Sequence, residues 1–246
     1  WTKDYCRKLE DKNKIDKFIE VDNLEDKYRS RIKRLAISRN QGLAFIREEI
    51  DQESLYVPMD MDLNLFSLTS FDNLKNTFKF LIENDSDCLF PYSVPYYYDI
   101  FALRKKGWVK NNNILKSKKI KNQIIFFSFF INYFLIFRKQ KHIKKFKQEL
   151  IGVESAFGGV GMYKVNRELL ETSNYSTNKD NEDMFSEHLF FNQNFDKLNI
   201  LTKWNIEAPK EYTFFNSYSL NEKLIYILKT IKNDSKNFYD KMKNGS

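Results

Sequence analysis

The amino-acid sequence predicts an α/β fold, a sheet with helices packed on it, and two observations point there. Helical and extended runs alternate along the first part of the chain, the succession expected when strands line up in a sheet and helices return across it. The 246 residues are 42% hydrophobic and 30% charged, enough apolar material for the core of one large α/β domain or two small ones. Disorder is not the default for such a composition. Two cysteines, Cys6 and Cys88, make neither a disulfide framework nor a zinc cluster, so a reducing compartment is the plain reading. The net charge of +8 suits an anionic ligand, an anionic lipid surface or nucleic acid, and selects none of them. Aromatic residues are 16% of the chain; with the abundant Lys, Asn and Ile they match an AT-rich coding bias and carry no functional weight.

Tyr5 to Lys14 is charged and helical, and Lys17-Phe18-Ile19-Glu20-Val21 is a strand-like run closed by Asp22-Asn23. Asp26 to Arg39 places Tyr28, Ile32, Leu35 and Ala36 at helical spacing, with the Arg and Lys residues between them as a solvated face. The helix continues through Gly42 to Ile50, turning Leu43, Phe45, Ile46 and Ile50 inward, and Asp51-Gln52-Glu53 breaks it. Leu55-Tyr56-Val57 then forms a strand that leads into Asp60-Met61-Asp62. Carboxylates at i and i+2 point to one side of an extended segment. At the end of a strand they can share one hard divalent cation, which can hold the oxygens of a diphosphate. Solvated turns carry the same pair, so Asp60 and Asp62 do not decide the matter alone. In α/β sheets ligands sit at the carboxyl ends of strands, which is where this pair falls.

Thr69 to Asn84 is a helix capped by Ser70 or Asp72, with Leu74, Phe78, Leu81 and Ile82 as its buried face. Cys88-Leu89-Phe90 is a short buried strand ending at Pro91, and Tyr96 to Arg104 has the composition of an amphipathic strand. Residues 105–149 differ: Lys105 to Lys121 and Arg138 to Lys147 are basic, and Ile124 to Phe137 is mostly Phe and Ile. That apolar run falls short of the ~20 residues that cross a bilayer. A buried helix is the first reading, and an interfacial helix whose basic flanks meet anionic lipid is the second.

Leu150 to Lys164 gathers small residues: Ser155, Ala156, Gly158, Gly159 and Gly161. In a chain with 7 glycines, three so close together mark a place where backbone turns tightly between strands or approaches a ligand. The spacings of a dinucleotide fingerprint and of a phosphate loop are both absent. Glu182 to Asn192 follows a polar loop and reads as a helix carrying Asp183, Glu187 and His188. Leu198 to Leu201 is a strand, and Leu220 to Met242 is an amphipathic, charged helical tail with no assigned chemistry.

Five of these segments together resemble the glycosyltransferases of the GT-A fold, in the nucleotide-sugar-dependent group related to the family-2 type and the fungal capsule mannosyltransferase type. Arg34-Leu35-Ala36-Ile37-Ser38-Arg39-Asn40 is similar to the R-x-A-x-x-RN helix of that family, and Met59-Asp60-Met61-Asp62 to its DxD. Tyr98-Asp99-Ile100-Phe101-Ala102-Leu103-Arg104 resembles YDIWALR, with Phe101 in place of Trp. Ser155-Ala156-Phe157-Gly158-Gly159-Val160-Gly161-Met162-Tyr163-Lys164 resembles SxFGGxxIYK. Ser186-Glu187-His188-Leu189-Phe190-Phe191 resembles CEHVxF, with Ser186 in place of Cys.

The resemblance implies a GT-A, Rossmann-like mixed central sheet over residues 1–220, with 105–149 as a basic and aromatic insert and 221–246 as a helical tail. Residues 1–21 then look like the end of the family's first strand–helix–strand unit, so the first strand or strands that cradle the nucleotide base are expected upstream of Trp1. It implies transfer of a sugar from a nucleoside-diphosphate sugar to a glycan or glycolipid acceptor, with manganese or magnesium bound by Asp62 and Asp60. Asp60 would also reach the ribose. Glu187 and His188 fall at the base position; either would take the acceptor's proton, or His188 would complete the metal shell. Arg39 and Asn40 would bind the donor, and Gly158 and Gly159 would let backbone approach it. Asp99 and Arg104 would contact sugar hydroxyls or form a structural ion pair. The expected place is the cytoplasm or the inner face of a membrane, touched through 124–147, and nucleic acid is not an expected partner. A non-catalytic membrane- or glycan-binding module is the competing expectation.

Overall fold

A computed structural model describes residues 2–50, 52–60, 71–110, 112–123, 127–141, 146–177, 185–209, 213, 216 and 218–244. Helix α1 (Thr2–Asp11) is followed by the one-turn α2 (Leu24–Lys27) and the long α3 (Arg31–Glu49). Ser30 starts α3 by accepting the Lys33 backbone N–H at 3.0 Å, and the chain therefore breaks at Tyr28–Ser30, where a continuous helix from Asp26 is expected. Lys17–Val21 is not a strand. Lys3 pairs with Glu20 and Asp22, Arg7 reaches Glu20, and the Phe18 N–H donates to Glu10, so the segment is tied to α1 by side chains instead of a ladder.

Among the described residues the sheet has five strands in the order β1-β4-β2-β5-β3: β1 (Ser54–Tyr56), β2 (Cys88–Val94), β3 (Leu150–Val153), β4 (Met162–Val165) and β5 (Leu198–Glu207). Only β2 and β5 run parallel; β1–β4, β2–β4 and β3–β5 are antiparallel, so the sheet is mixed and open. Strand β2 runs past Pro91, where the sequence places its end. It pairs with β4 only at Cys88 and Leu89, and its register to β5 shifts between Pro91 and Tyr92, so proline sits at an irregularity where a missing N–H is tolerated.

Side chains alternate along β2. Cys88 and Phe90 join Ala36, Leu43, Tyr163 and Phe191 on one face, and Leu89 joins Leu81, Met162 and Trp204 on the other. Burying each such large side chain contributes about 1.5–3 kcal/mol relative to leaving it in water. Helix α3 covers the first face, and α4 (Phe71–Glu83) the second through Leu74, Thr77 and Leu81. Phe78 and Ile82, expected inward, are exposed: the buried stripe follows i, i+3, i+7 and leaves them one position off it.

Tyr96 to Arg104 is a packed loop and not a strand. The Asp99 carboxylate accepts the N–H of Ala102 at 3.2 Å and that of Gly158 at 2.9 Å, which folds the segment onto the Gly-rich loop. Arg104 joins it there by a single bridge to Ser155. The insert forms α5 (Asn113–Gln123), then one helical stretch made of α6 (Ser128–Asn132), a π turn (Tyr133–Phe137) and α7 (Arg138–Gln140). It is not the buried helix read first. Phe137 is buried, but Phe127, Phe130 and Phe134 face solvent; Ile124 to Phe126 lie outside the described residues. After α8 (Arg167–Thr172) and α9 (His188–Asn192), the chain ends in α10 (Leu220–Asn244), which packs on the insert by the Tyr226 ring against Phe129 and Phe137. Among the described residues no helix is long and apolar enough to cross a membrane.

Candidate functional site

Arg39 lies on the buried stripe of α3, three residues after Ala36 and four before Leu43, so the helix that fills the core also drives a guanidinium into it. Its planar fork serves two carboxylates. Nη2 donates to Asp60 Oδ1 at 2.6 Å and Nε to Glu187 Oε1 at 3.1 Å. The guanidinium carbon also stands 5.1 Å from the Phe157 ring centre and 5.6 Å from that of Tyr175. Burial works against its charge, yet Asp60 and Glu187 more than offset that and hold its proton more tightly than usual.

Each partner is fixed by backbone. Strand β1 pairs with β4, and beyond it Met59 bridges Val160; the Asp60 N–H donates to the Gly159 carbonyl at 2.8 Å. Gly158 and Gly159 have φ of +69° and +84°, a left-handed pair that turns the chain so that this carbonyl faces β1. Gly161 answers to packing: a Cβ there would lie 2.7 Å from the Tyr163 ring. The Asp60 side chain keeps 37% exposure while Glu187 keeps 4%. Burial raises the Glu187 carboxyl above the ordinary carboxylate value, and the pull of Arg39 only partly reverses that. Asp99 is raised for the same reason, against the two N–H groups it accepts.

His188 heads α9 with its ring stacked flat on Phe157, centres 3.5 Å apart and planes 19° apart, and edge-on to Tyr175 at 5.3 Å. Neither ring nitrogen has a hydrogen-bond partner among the described residues. Burial, then the Arg39 charge, depresses its basicity well below the usual value, so the imidazole is neutral.

These groups open onto a cleft of about 780 Å³. Arg39, Asp60, Asp99, Gly159, Glu187 and His188 are among its lining residues. Ile32, Leu35, Ile100, Phe101, Ile114 and Ile136 line it as well, the last two from the insert. Of the residues singled out from the sequence, Asn40, Gly158 and Arg104 stand behind this lining. Asn40 clasps the Tyr175 backbone at both ends, donating to its carbonyl at 2.8 Å and accepting its N–H at 2.9 Å. Gly158 is held by Asp99, and Arg104 Nη1 donates to the carbonyls of Phe101 and Leu103. Asp62, like Glu182 and Asp183, lies outside the described residues.

Sequence reasoning passed over two residues that shape the site. Tyr175 stacks on Phe191 at 4.4 Å and meets the Tyr56 hydroxyl at 3.1 Å; nothing in its polar loop marks it. Asn192 is buried, donates to Ser155 Oγ and the Ala156 carbonyl and accepts from the Tyr163 hydroxyl, tying α9 to the Gly-rich loop. An amide one turn after His188 on an aromatic face was the available signal for it.

Among the described residues no three His, Cys, Asp or Glu side chains gather as a metal cage. A magnesium- or manganese-like cation needs less, one or two carboxylates plus phosphate oxygens. Asp60 fits that demand because its carboxylate is partly open to the cleft. Both His188 ring nitrogens are buried, so neither is open to the cleft as the Asp60 carboxylate is. No protein-family model, no curated protein and no solved structure matches the chain.

Proposed function

We propose that the chain is a GT-A-type glycosyltransferase that moves a sugar from a nucleoside-diphosphate donor to an acceptor hydroxyl, with Glu187 as the base. One observation carries this. Arg39, Asp60, Asp99, Gly159 and Glu187, one from each of the five family-like segments, line a single cleft although up to 148 positions separate them in the chain. Nothing in local propensity requires that convergence.

Glu187 suits the base role because burial lifts its proton affinity toward neutral pH, where a carboxylate takes a proton most usefully. The acceptor oxygen bonds the anomeric carbon, the carbon–oxygen bond to the diphosphate breaks, and the diphosphate leaves with the electron pair while Glu187 receives the hydroxyl proton. Arg39 lines the cleft and would meet part of the negative charge on that leaving group. A divalent cation held by Asp60, with Asp62 as the second carboxylate, would supply further counter-charge there. His188 acts as a neutral wall: stacked on Phe157, it keeps water from the Glu187 side. The isoleucines, Leu35 and Phe101 in the cleft's lining suit an acceptor that carries an apolar portion beside its hydroxyl.

A thermal-shift screen of the intact protein against nucleotide sugars, with and without manganese, tests the assignment. A manganese-dependent rise in Tm with one donor class is expected. No shift with any donor, with or without metal, would contradict it.

A further inference from the structure

The helical stretch of the insert, residues 127–141, keeps a single face in water. Its exposed residues are Phe127, Phe130, Phe134, Arg138 and Lys141, at i, i+3, i+7, i+11 and i+14, so they form one stripe that begins aromatic and ends cationic. Phe127, Phe130 and Phe134 leave 63%, 54% and 54% of their surface in water, and the first two rings stand 6.2 Å apart. The other sides of the stretch pack on protein. Phe137 and Gln140 are buried, Phe129 meets the Tyr226 ring, and Asn132 accepts the Ser117 hydroxyl of α5 at 2.9 Å.

Charge indicates what covers the stripe. Residues 105–148 hold 13 of the chain's 41 Lys and Arg and none of its 33 Asp and Glu, so the insert is strongly cationic while the remainder of the chain is net acidic. Helix α5 is tied to the stretch by the Ser117 bond and by the Asn113 amide on the Leu135 carbonyl, and it exposes Lys116, Lys118 and Lys119. Asp234 of α10 is the acid that meets the stretch; it is buried and accepts the Ser128 N–H at 3.1 Å. A second copy fits this face poorly. At about 200 Å² per ring, two copies would bury about 700 Å² of phenylalanine between them, below the roughly 1,200 Å² of a stable interface. They would also set one acid-free cationic segment against another. An anionic lipid surface suits both ends of the stripe: its acyl boundary takes the rings, and its headgroups attract the cations.

We propose that the insert docks the protein on anionic membranes, with Phe127, Phe130 and Phe134 in the acyl boundary and Arg138 and Lys141 in the headgroup layer. Ile136 and Gln140 of the same stretch line the cleft, so docking holds one cleft wall about a helix width, ~10 Å, from the lipid. Binding is read without donor or acceptor and stands apart from the transferase assignment. The test is co-sedimentation of the intact protein with phosphatidylcholine vesicles, with or without roughly 30% phosphatidylserine. Binding only to the mixed vesicles, weakened by salt, is expected. Phe130→Glu with Phe134→Glu should weaken it at least about tenfold, and Arg138→Gln with Lys141→Gln about 30-fold. Lys12→Gln with Lys14→Gln removes the same charge from exposed positions outside the insert and should change binding less than about twofold. All these side chains are exposed, and the circular dichroism spectra of the variants should match that of the native protein. Four results would each overturn the proposal: no binding to the mixed vesicles, unchanged binding by either insert variant, an equal loss from the Lys12 and Lys14 exchange, or a dimer in ultracentrifugation that Phe130→Glu dissolves.

Discussion

Arg39 and Glu187 meet at 3.1 Å across 148 positions of sequence, both nearly out of water, and the same guanidinium holds Asp60 at 2.6 Å. A cation shared by two carboxylates leaves one excess negative charge within this group of three side chains.

Removing that cation should be costly. Arg39→Met leaves Glu187 buried without its counter-charge, and breaking such a pair costs about 3–5 kcal/mol in urea unfolding. The double variant Arg39→Met, Glu187→Gln should recover part of the loss, because no buried charge is then left alone. A double-mutant cycle reads the coupling. Strictly additive effects would show that the pair contributes nothing.

Glu187 also makes stability depend on pH, with a definite sign. Its folded carboxyl binds a proton more tightly than the unfolded one, so between the two values the folded state holds more protons. Its contribution is therefore most favourable below the ordinary carboxylate value of 4.5 and declines as pH rises through the raised value. Glu187→Gln should remove that decline, measured as urea midpoints from about pH 4 to about pH 8. His188 acts in the other direction. Its basicity is depressed, so stability is lost as pH falls below the usual 6.5 and the unfolded chain takes the proton first.

His188→Phe should keep the stack on Phe157 and discard two unpartnered nitrogens, leaving stability equal or higher by about 1 kcal/mol and abolishing the histidine part of the acid loss. A large destabilisation would reveal a hydrogen bond that the ring makes in solution.

Much of the frame was legible in the residues. Ile32, Ala36 and Leu43 fix α3 by their spacing, and the run before Asp60 reads as a strand because β-branched and aromatic residues suit a half-buried ladder. Tyr96 to Arg104 was misread because its aromatics are buried by long-range packing: Tyr97 N–H goes to the Gln140 carbonyl and Asp99 goes to Gly158. No local pattern encodes such partners. Tyr175 is hidden for the same reason, being placed by Asn40, 135 positions earlier in the chain. The exposed Phe130 and Phe134 show a related limit: apolar composition fixes that a helix has a greasy face, and only the fold decides whether that face is covered.

The glycine turn separates two kinds of constraint. Gly158→Ala meets a left-handed φ and a Pro91 contact at 3.3 Å, for a cost of about 1–2 kcal/mol. Gly161→Ala has ordinary φ but drives a Cβ into the Tyr163 ring, costing about 1–3 kcal/mol. Gly158→Asn should be milder than Gly158→Ala, since Asn tolerates the left-handed region, while Gly161→Asn should be worse than Gly161→Ala. Equal costs in chemical denaturation would refute the distinction.

The base assignment is tested most directly by single-turnover sugar transfer with the donor that shifts the melting temperature, comparing the native protein with Glu187→Gln. Loss of the carboxylate should slow the chemical step about 10²- to 10⁴-fold while donor affinity, read by the same thermal shift, stays within about threefold. Transfer at the native rate by Glu187→Gln, with the donor still bound, would contradict it.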